Sequence, residues 1–276
     1  MEAMMPLQPL LSKRSALALI TGAALALSPL PLLAQDAAQK GYEIAARSDV
    51  SDNGFRDSAV DVTMELKNAA GQSSSRQLRI LTLERASAKV GDKSISIFST
   101  PADIDGTAVL SHAKLTANDD QWIYLPAAQR VKRISSSNKS GPFVGSEFAY
   151  EDITAQELGK FTYKWIGTET CPGGGKCEVV ERVPAYKNSG YSKQVVWFST
   201  KHWQAEKIEY YDRAGNHAKT MTATGIKKRG GFWRQAKLHM VNHRNGKSTS
   251  LSFANWRFAT GLRDGDFRSN ALESLD

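Results

Sequence analysis

The sequence predicts a mainly β protein built on one large, curved antiparallel sheet. Three observations carry that expectation: apolar and polar residues alternate along many short stretches, Gly- and Asn-containing turns separate those stretches, and helical periodicity is scarce. The clearest stretch is 60–66, where Val60, Val62, Met64 and Leu66 alternate with Asp61, Thr63 and Glu65. Successive side chains of a strand point to opposite faces, so one face here is apolar and the other meets water. A long sheet with one apolar face has to close, stack or be covered.

The elements follow in chain order. Residues 36–49 suit a helix, with Ala37, Ala38, Tyr42, Ile44 and Ala45 as a partial apolar stripe. After the 60–66 strand, Asn68-Ala69-Ala70-Gly71 turns the chain into a strand over 76–84, and Ile95 and Ile97 begin a third. Further strands are expected at 107–113, 121–125, 129–134, 161–166, 179–183, 193–198, 205–211, 217–226, 232–243 and 248–258. Arg213-Ala214-Gly215-Asn216, Arg229-Gly230-Gly231 and Asn245-Gly246 supply turns between the later ones. Short helices are expected within 148–158 and 266–275. No linker or repeat divides the chain, so residues 35–276 read as a single domain.

Residues 120–152, DQWIYLPAAQRVKRISSSNKSGPFVGSEFAYED, are the most informative stretch. In Trp122-Ile123-Tyr124-Leu125 every position is apolar or aromatic, so neither face of that strand favours water. The following Ser- and Gly-rich loop carries Phe143, Phe148 and Tyr150, whose rings need an apolar cover, either the protein's own core or a bound molecule. The run from DQWIYLP through RVKRISSS to GSEFAYED resembles the outer-membrane lipoprotein-sorting family, the LolA-like periplasmic carriers, and within it an uncharacterised branch. The resemblance implies an unclosed antiparallel barrel with a few helices as a lid over an apolar cavity. The strand pattern supplies only the sheet.

Residues 1–34 have the order of a secretory signal peptide: Lys13 and Arg14, an apolar run over 16–27, then a small-residue cleavage site near Ala34. The apolar run is shorter than the roughly 20 residues a spanning helix needs. The predicted location of the mature protein is therefore the periplasm, without a lipid anchor, because no Cys lies near the cut. The chain carries a formal net charge of +8; losing Glu2, Lys13 and Arg14 leaves it near +7. Its two cysteines, Cys171 and Cys177, are separated by Pro-Gly-Gly-Gly-Lys, and such a close pair in an exported chain reads as a disulfide across a turn. The spacing excludes a C-x-x-C redox motif, the lack of a second ligand pair excludes a zinc site, and Cys177 after Lys176, with the wrong glycine spacing before it, excludes a phosphate loop.

Catalytic patterns fail in turn. There is no G-x-S-x-G elbow, no H-E-x-x-H and no G-x-G-x-x-G after a strand. His239 and His243 fall four apart in an expected strand, about 13 Å apart and too far to share a metal. Neighbouring Glu151 and Asp152 suit helix capping, or salt bridges to Arg130, Lys132 or Arg133, better than acid–base chemistry. Lys227-Lys228-Arg229 before Phe232, Trp233 and Arg234 would suit nucleic acid, but export argues against it; a solvated hairpin tip, or transient contact with anionic lipid, fits better.

The expected function is non-enzymatic and needs no cofactor or metal: a carrier of lipid or of lipoprotein acyl chains between envelope partners. The resemblance implies an inner-membrane exporter and an outer-membrane acceptor as those partners. Candidate cavity residues are Val60, Val62, Met64, Leu66, Trp122, Tyr124, Phe143, Phe148 and Phe161. Arg130, Lys132, Arg133 and Asp152 are candidate rim or ion-pair groups. The alternative is an accessory or interaction module of an envelope lipid exporter, with the cavity filled by its own side chains.

Overall fold

Alternation in the chain becomes alternation across a sheet. In the computed structural model, which describes residues 30–84 and 90–274, strand β1 (Asp57–Lys67) buries Val60, Val62 and Met64 and turns Glu65 to solvent. Its antiparallel neighbours are β2 (Ser73–Leu83) and the last strand, β15 (Ser248–Phe258). Val62 lies opposite Leu78 on one side and Phe253 on the other, and Met64 lies opposite Leu251, so each inward position meets another across the ladder.

The sheet has thirteen strands. One arm runs outward from β1 through β2, β3 (Lys93–Thr100), β4 (Ala108–His112) and β5 (Asp120–Leu125) to the edge strand β6 (Arg130–Ile134). The chain then re-enters at the opposite edge as β7 (Phe161–Thr170). It returns through β8 (Lys176–Pro184), β9 (Tyr191–Ser199), β10 (Ala205–Asp212), β11 (His217–Thr224) and β14 (Lys237–Asn242) to β15. Every pairing is antiparallel, and β6 and β7 do not pair, so the barrel stays open, as expected.

The expected strand over 232–243 is two strands. A two-stranded ribbon of β12 (Lys227–Arg229) and β13 (Phe232–Arg234) leaves the sheet between β11 and β14. Gly225, at φ +65°, and Ala236 face one another where the chain departs and returns. A side chain on Gly225 would press on the Ala236 methyl, which lies 2.7 Å from where its Cβ would be.

Helix α1 (Leu30–Asp52) extends beyond the expected 36–49 and packs along β7. Contact is close because Gly41 has no side chain: a Cβ there would lie 2.6 Å from the backbone nitrogen of Trp165. Ile44 and Ala45 are buried under the helix, whereas Tyr42 of the expected stripe remains 47 % exposed. Lys40 sits 3.3 Å over the Trp165 ring and 3.9 Å from Glu178, fixing the helix on β7 and β8. The expected signal peptide lies outside the described residues except for its last five positions, which belong to α1. The helices expected within 148–158 and 266–275 are short 3-10 turns at Tyr150–Asp152, Leu158–Lys160, Asp264–Phe267 and Ser269–Ser274.

Cys171 and Cys177 form the expected disulfide at the β7–β8 turn, with Cα atoms 5.1 Å apart. A loop this short contributes about 2 kcal/mol by restricting the unfolded chain. The bridge is buried in a small cluster with Val179, Val195 and Trp197 on the outer face of the sheet.

Candidate functional site

Because β6 and β7 lie at opposite edges, the chain joining them, residues 135–160, must cross the concave face of the sheet. This crossing segment carries Phe143 and Phe148, which are buried in one cluster with Val60, Val62, Met64 and Phe98. The Phe98 and Phe143 rings are 5.9 Å apart, and those of Phe143 and Tyr150 are 5.7 Å apart. A tight turn at Val144 and Gly145, both with positive φ, lets the Phe143 amide reach the Phe148 carbonyl at 2.7 Å. Five of the candidate cavity residues are thus brought together, with Leu66 packed at the margin. Their neighbours at the centre are the protein's own rings.

The other candidates lie elsewhere. Trp122 and Tyr124 point from β5 to the opposite face, where Phe267 and Leu272 of the C-terminal turns cover them; Ile123 packs inward. The apolar character of both faces of this strand therefore answers to two covers, one on each side. Phe161 starts β7 beside Tyr163 and Tyr186, with Arg182 above its ring.

The rim candidates also separate. Arg130 and Lys132 stand exposed on edge strand β6, and Arg133 pairs with Asp120. Asp152 meets none of them, because the crossing segment carries it inward. It accepts the Ala149 amide at 2.7 Å and the Tyr191 hydroxyl at 2.9 Å. Glu151 likewise accepts the Tyr186 hydroxyl, the Ser189 hydroxyl and the Gly190 amide, all within 2.9 Å. Gly190 is required for that docking: a Cβ there would lie 2.9 Å from Glu151 Oε1 and 2.7 Å from the Ser140 Cβ. The segment is further held by Lys160, whose ammonium is 2.7 Å from Asp119 Oδ1 and 2.8 Å from the Ala155 carbonyl, with both charged residues buried.

Burial pushes the Asp152 carboxyl up to about 6; Lys219, the Ala149 amide and Tyr191 oppose the shift, and Glu151 adds to it. Between pH 3.8 and about 6 the folded protein therefore holds a proton that the unfolded chain has released. This contribution is complete below pH 3.8 and is lost as pH rises through 6. Asp152→Asn removes it. Urea unfolding at pH 7 and pH 4 should show the variant losing up to about 3 kcal/mol relative to the native chain on acidification. Equal differences at the two pH values would overturn the assignment.

Where the crossing segment turns toward β7, the described residues leave the concave face unfilled. A cavity of ≈ 880 Å³ lies between α1, residues 154–158 and the inward face of β7 to β10. Val196, Phe198 and Ile208 give it an apolar wall, and Ala45 and Leu158 complete that wall from the helix and the segment. A second cavity of ≈ 340 Å³ shares Asp52, Asp92, Thr154, Ala155 and Gln204 with the first and runs beneath the β12–β13 ribbon to Trp256. Asp49, Asp52, Glu84, Asp92 and Glu157 line the larger cavity on its polar side. Burial raises the carboxyl pKa of Asp49, Asp52 and Glu157. At the far end Asp52 pairs with Arg234, whose guanidinium stands among the rings of Phe55, Trp256, Phe258 and Phe232 at 5.1 to 5.7 Å.

Histidine placement departs from sequence spacing as well. The His243 ring packs tilted against that of His217, with centroids 4.6 Å apart, although the two are 26 residues apart in sequence, and both rings contact the Thr220 hydroxyl. Among the described residues, the grouping of potential metal ligands is Cys171, Cys177 and Glu206, and both its sulfurs are committed to the disulfide.

Comparison with solved structures decides the family. A chain described as an outer membrane lipoprotein-sorting protein domain from Vibrio parahaemolyticus is 46 % identical, with a TM-score of 0.82 over 86 % of this chain and 99 % of its own. The chain belongs to the outer-membrane lipoprotein-sorting family. A DUF1329 family protein from Desulfovibrio piger is 29 % identical over the same shares of each chain, with a TM-score of 0.80. A LolA superfamily protein from Nitrosomonas europaea, 18 % identical with a TM-score of 0.67 over 85 % of this chain and 99 % of its own, shares the fold. A family profile described as "uncharacterized protein" matches residues 91–274, and no curated protein matches. The relatives' high TM-scores show that this fold is shared, and the mostly filled concave face is how the residues of this chain occupy it.

Proposed function

We propose that the protein is a non-enzymatic periplasmic carrier that holds lipid, or the acyl chains of lipoproteins, in the cavity beside α1 and passes them between envelope partners. The observation that carries this is the ≈ 880 Å³ cavity with its wall of Val196, Phe198 and Ile208, within the range of small-molecule sites. Each buried methylene contributes about 0.8 kcal/mol, so a single chain is held tightly without any chemistry. Membership of a lipoprotein-sorting family supports the same reading. Val60, Val62, Met64 and Leu66 would then form the floor on which Phe143 and Phe148 seat the crossing segment. Release requires a partner that competes for the ligand or shifts α1 and the crossing segment. An inner-membrane exporter and an outer-membrane acceptor are the proposed partners. Arg130 and Lys132 on β6 and Lys227 and Lys228 on the ribbon are exposed, which supports transient contact with anionic membrane surfaces.

The filled centre of the concave face favours a second reading, an accessory module that binds a protein partner and no lipid. Mass spectrometry of organic extracts of the purified mature protein, with displacement of a fluorescent fatty acid, separates the two. The carrier reading expects co-purifying lipid and saturable displacement; neither lipid nor probe binding leaves the module reading.

A further inference from the structure

Arg182 points inward from β8 and is 7 % exposed. It lines the large cavity, and no described carboxylate forms an ion pair with it. A guanidinium stays charged in proteins, and a buried charge is costly unless it is paired. Its surroundings orient it without neutralising it. Nε donates to Gln194 Oε1 at 2.7 Å, one Nη donates to Gln156 Oε1 at 3.4 Å, and the group stacks on Phe161 at 4.4 Å. The Gln156 amide cannot turn over, because its Nε2 donates to the carbonyls of Glu151 and Thr154, both at 3.0 Å. Asp152, a carboxylate whose field reaches Arg182, is already engaged by Tyr191 and the Ala149 amide.

We propose that Arg182 is the anchor for the single anionic head group, carboxylate or phosphate, of an amphiphile whose chain lies in the ≈ 880 Å³ cavity. The proposal rests on the carrier reading and names the class of its ligand. Arginine's planar fork suits both oxyanions and is less strongly hydrated than an ammonium, which favours it for a dry site. The register supplies the tail site. Arg182 lies opposite Gln194, and the same inward face of β9 continues through Val196 to Phe198. Four strand residues extend about 13 Å, so a head group at Arg182 leaves an apolar track for the chain. The carboxylates of Asp49 and Glu157 on the polar side oppose any further negative charge, favouring a monoanion over polyanions.

The test compares ligands on the native mature protein and then on variants. A fluorescent fatty acid with a free carboxylate is expected to bind at least tenfold more tightly than its methyl ester. Displacement by lysophosphatidylglycerol, set against displacement by palmitate, distinguishes phosphate from carboxylate as the preferred head group, and zwitterionic lysophosphatidylcholine is expected to displace less than lysophosphatidylglycerol. Arg182→Met is expected to bring acid and ester affinities together while leaving ester binding within about twofold, and Arg182→Lys to keep only part of the preference. Equal binding of acid and ester by the native protein overturns the anchor and leaves the carrier reading intact; binding of neither removes the carrier reading itself. The native acid–ester comparison holds even where Arg182→Met does not fold.

Discussion

Phe148→Ala is expected to destabilise the fold by about 3–5 kcal/mol, measured as the shift in urea unfolding at constant slope. The ring is 2 % exposed and belongs to the main inward cluster, and the carbonyl of the same residue holds the Phe143 amide. Its removal leaves a hole in the middle of the crossing segment, where sheet strands on one side and Phe143 on the other cannot both move in. A loss below about 1 kcal/mol would show instead that the segment lies loosely on the sheet and contributes little to folding. This result bears directly on how a ligand reaches the concave face. A firmly packed segment confines access to the cavity beside α1, whereas a loose one opens the whole face.

Lys160→Met is expected to cost about 3–5 kcal/mol, because it strands the Asp119 carboxylate where water cannot reach it. Asp119 is 8 % exposed and Lys160 3 %, and their charged atoms are 2.7 Å apart. Lys139 limits the loss: its ammonium is bound to the Asp119 carbonyl and attracts the carboxylate that Lys160 leaves, although burial lowers its pKa. Replacing both members, Lys160→Met with Asp119→Leu, should recover part of the loss, since neither charge of the pair is then left without the other. It should not recover all of it, because the Lys114 amide also donates to Asp119 at 2.8 Å. A double-mutant cycle measures the coupling directly. Additive losses would mean that the pair does not pin the end of the crossing segment.

Much of the sheet was legible in advance because strand side chains alternate with a period of two, a local property. Val60, Val62 and Met64 declare an inward face with no knowledge of their partners, and the turn at 68–71 declares where the chain reverses. The 227–234 hairpin was legible from its Arg229-Gly230-Gly231 turn, but not its departure from the sheet between β11 and β14, which Gly225 and the small Ala236 set. The candidate site was legible only in part. Phe143 and Phe148 stood out as rings in a polar loop, and the family resemblance rested on the residues around them. Arg182 carried no such mark: in Glu181-Arg182-Val183 it reads as one more charged position on an alternating strand, and only burial distinguishes it.

The apolar tetrad 122–125 shows where local information ends. Its composition already required that both faces of the strand be dry, because apolar area exposed to water is unfavourable wherever the strand lies. Which bodies would cover it depended on contacts far apart in sequence. The crossing segment takes the inner face because β6 and β7 are at opposite edges of an open sheet, and the C-terminal turns take the outer face through Phe267 and Leu272. Alternation, turn chemistry and the close cysteine pair act between near neighbours, and so the strands, their faces and the disulfide were settled by the chain's order of residues. The filled centre, the cavity left beside α1 and the buried charge of Arg182 arise from packing between distant segments, and they exist only once the sheet has folded.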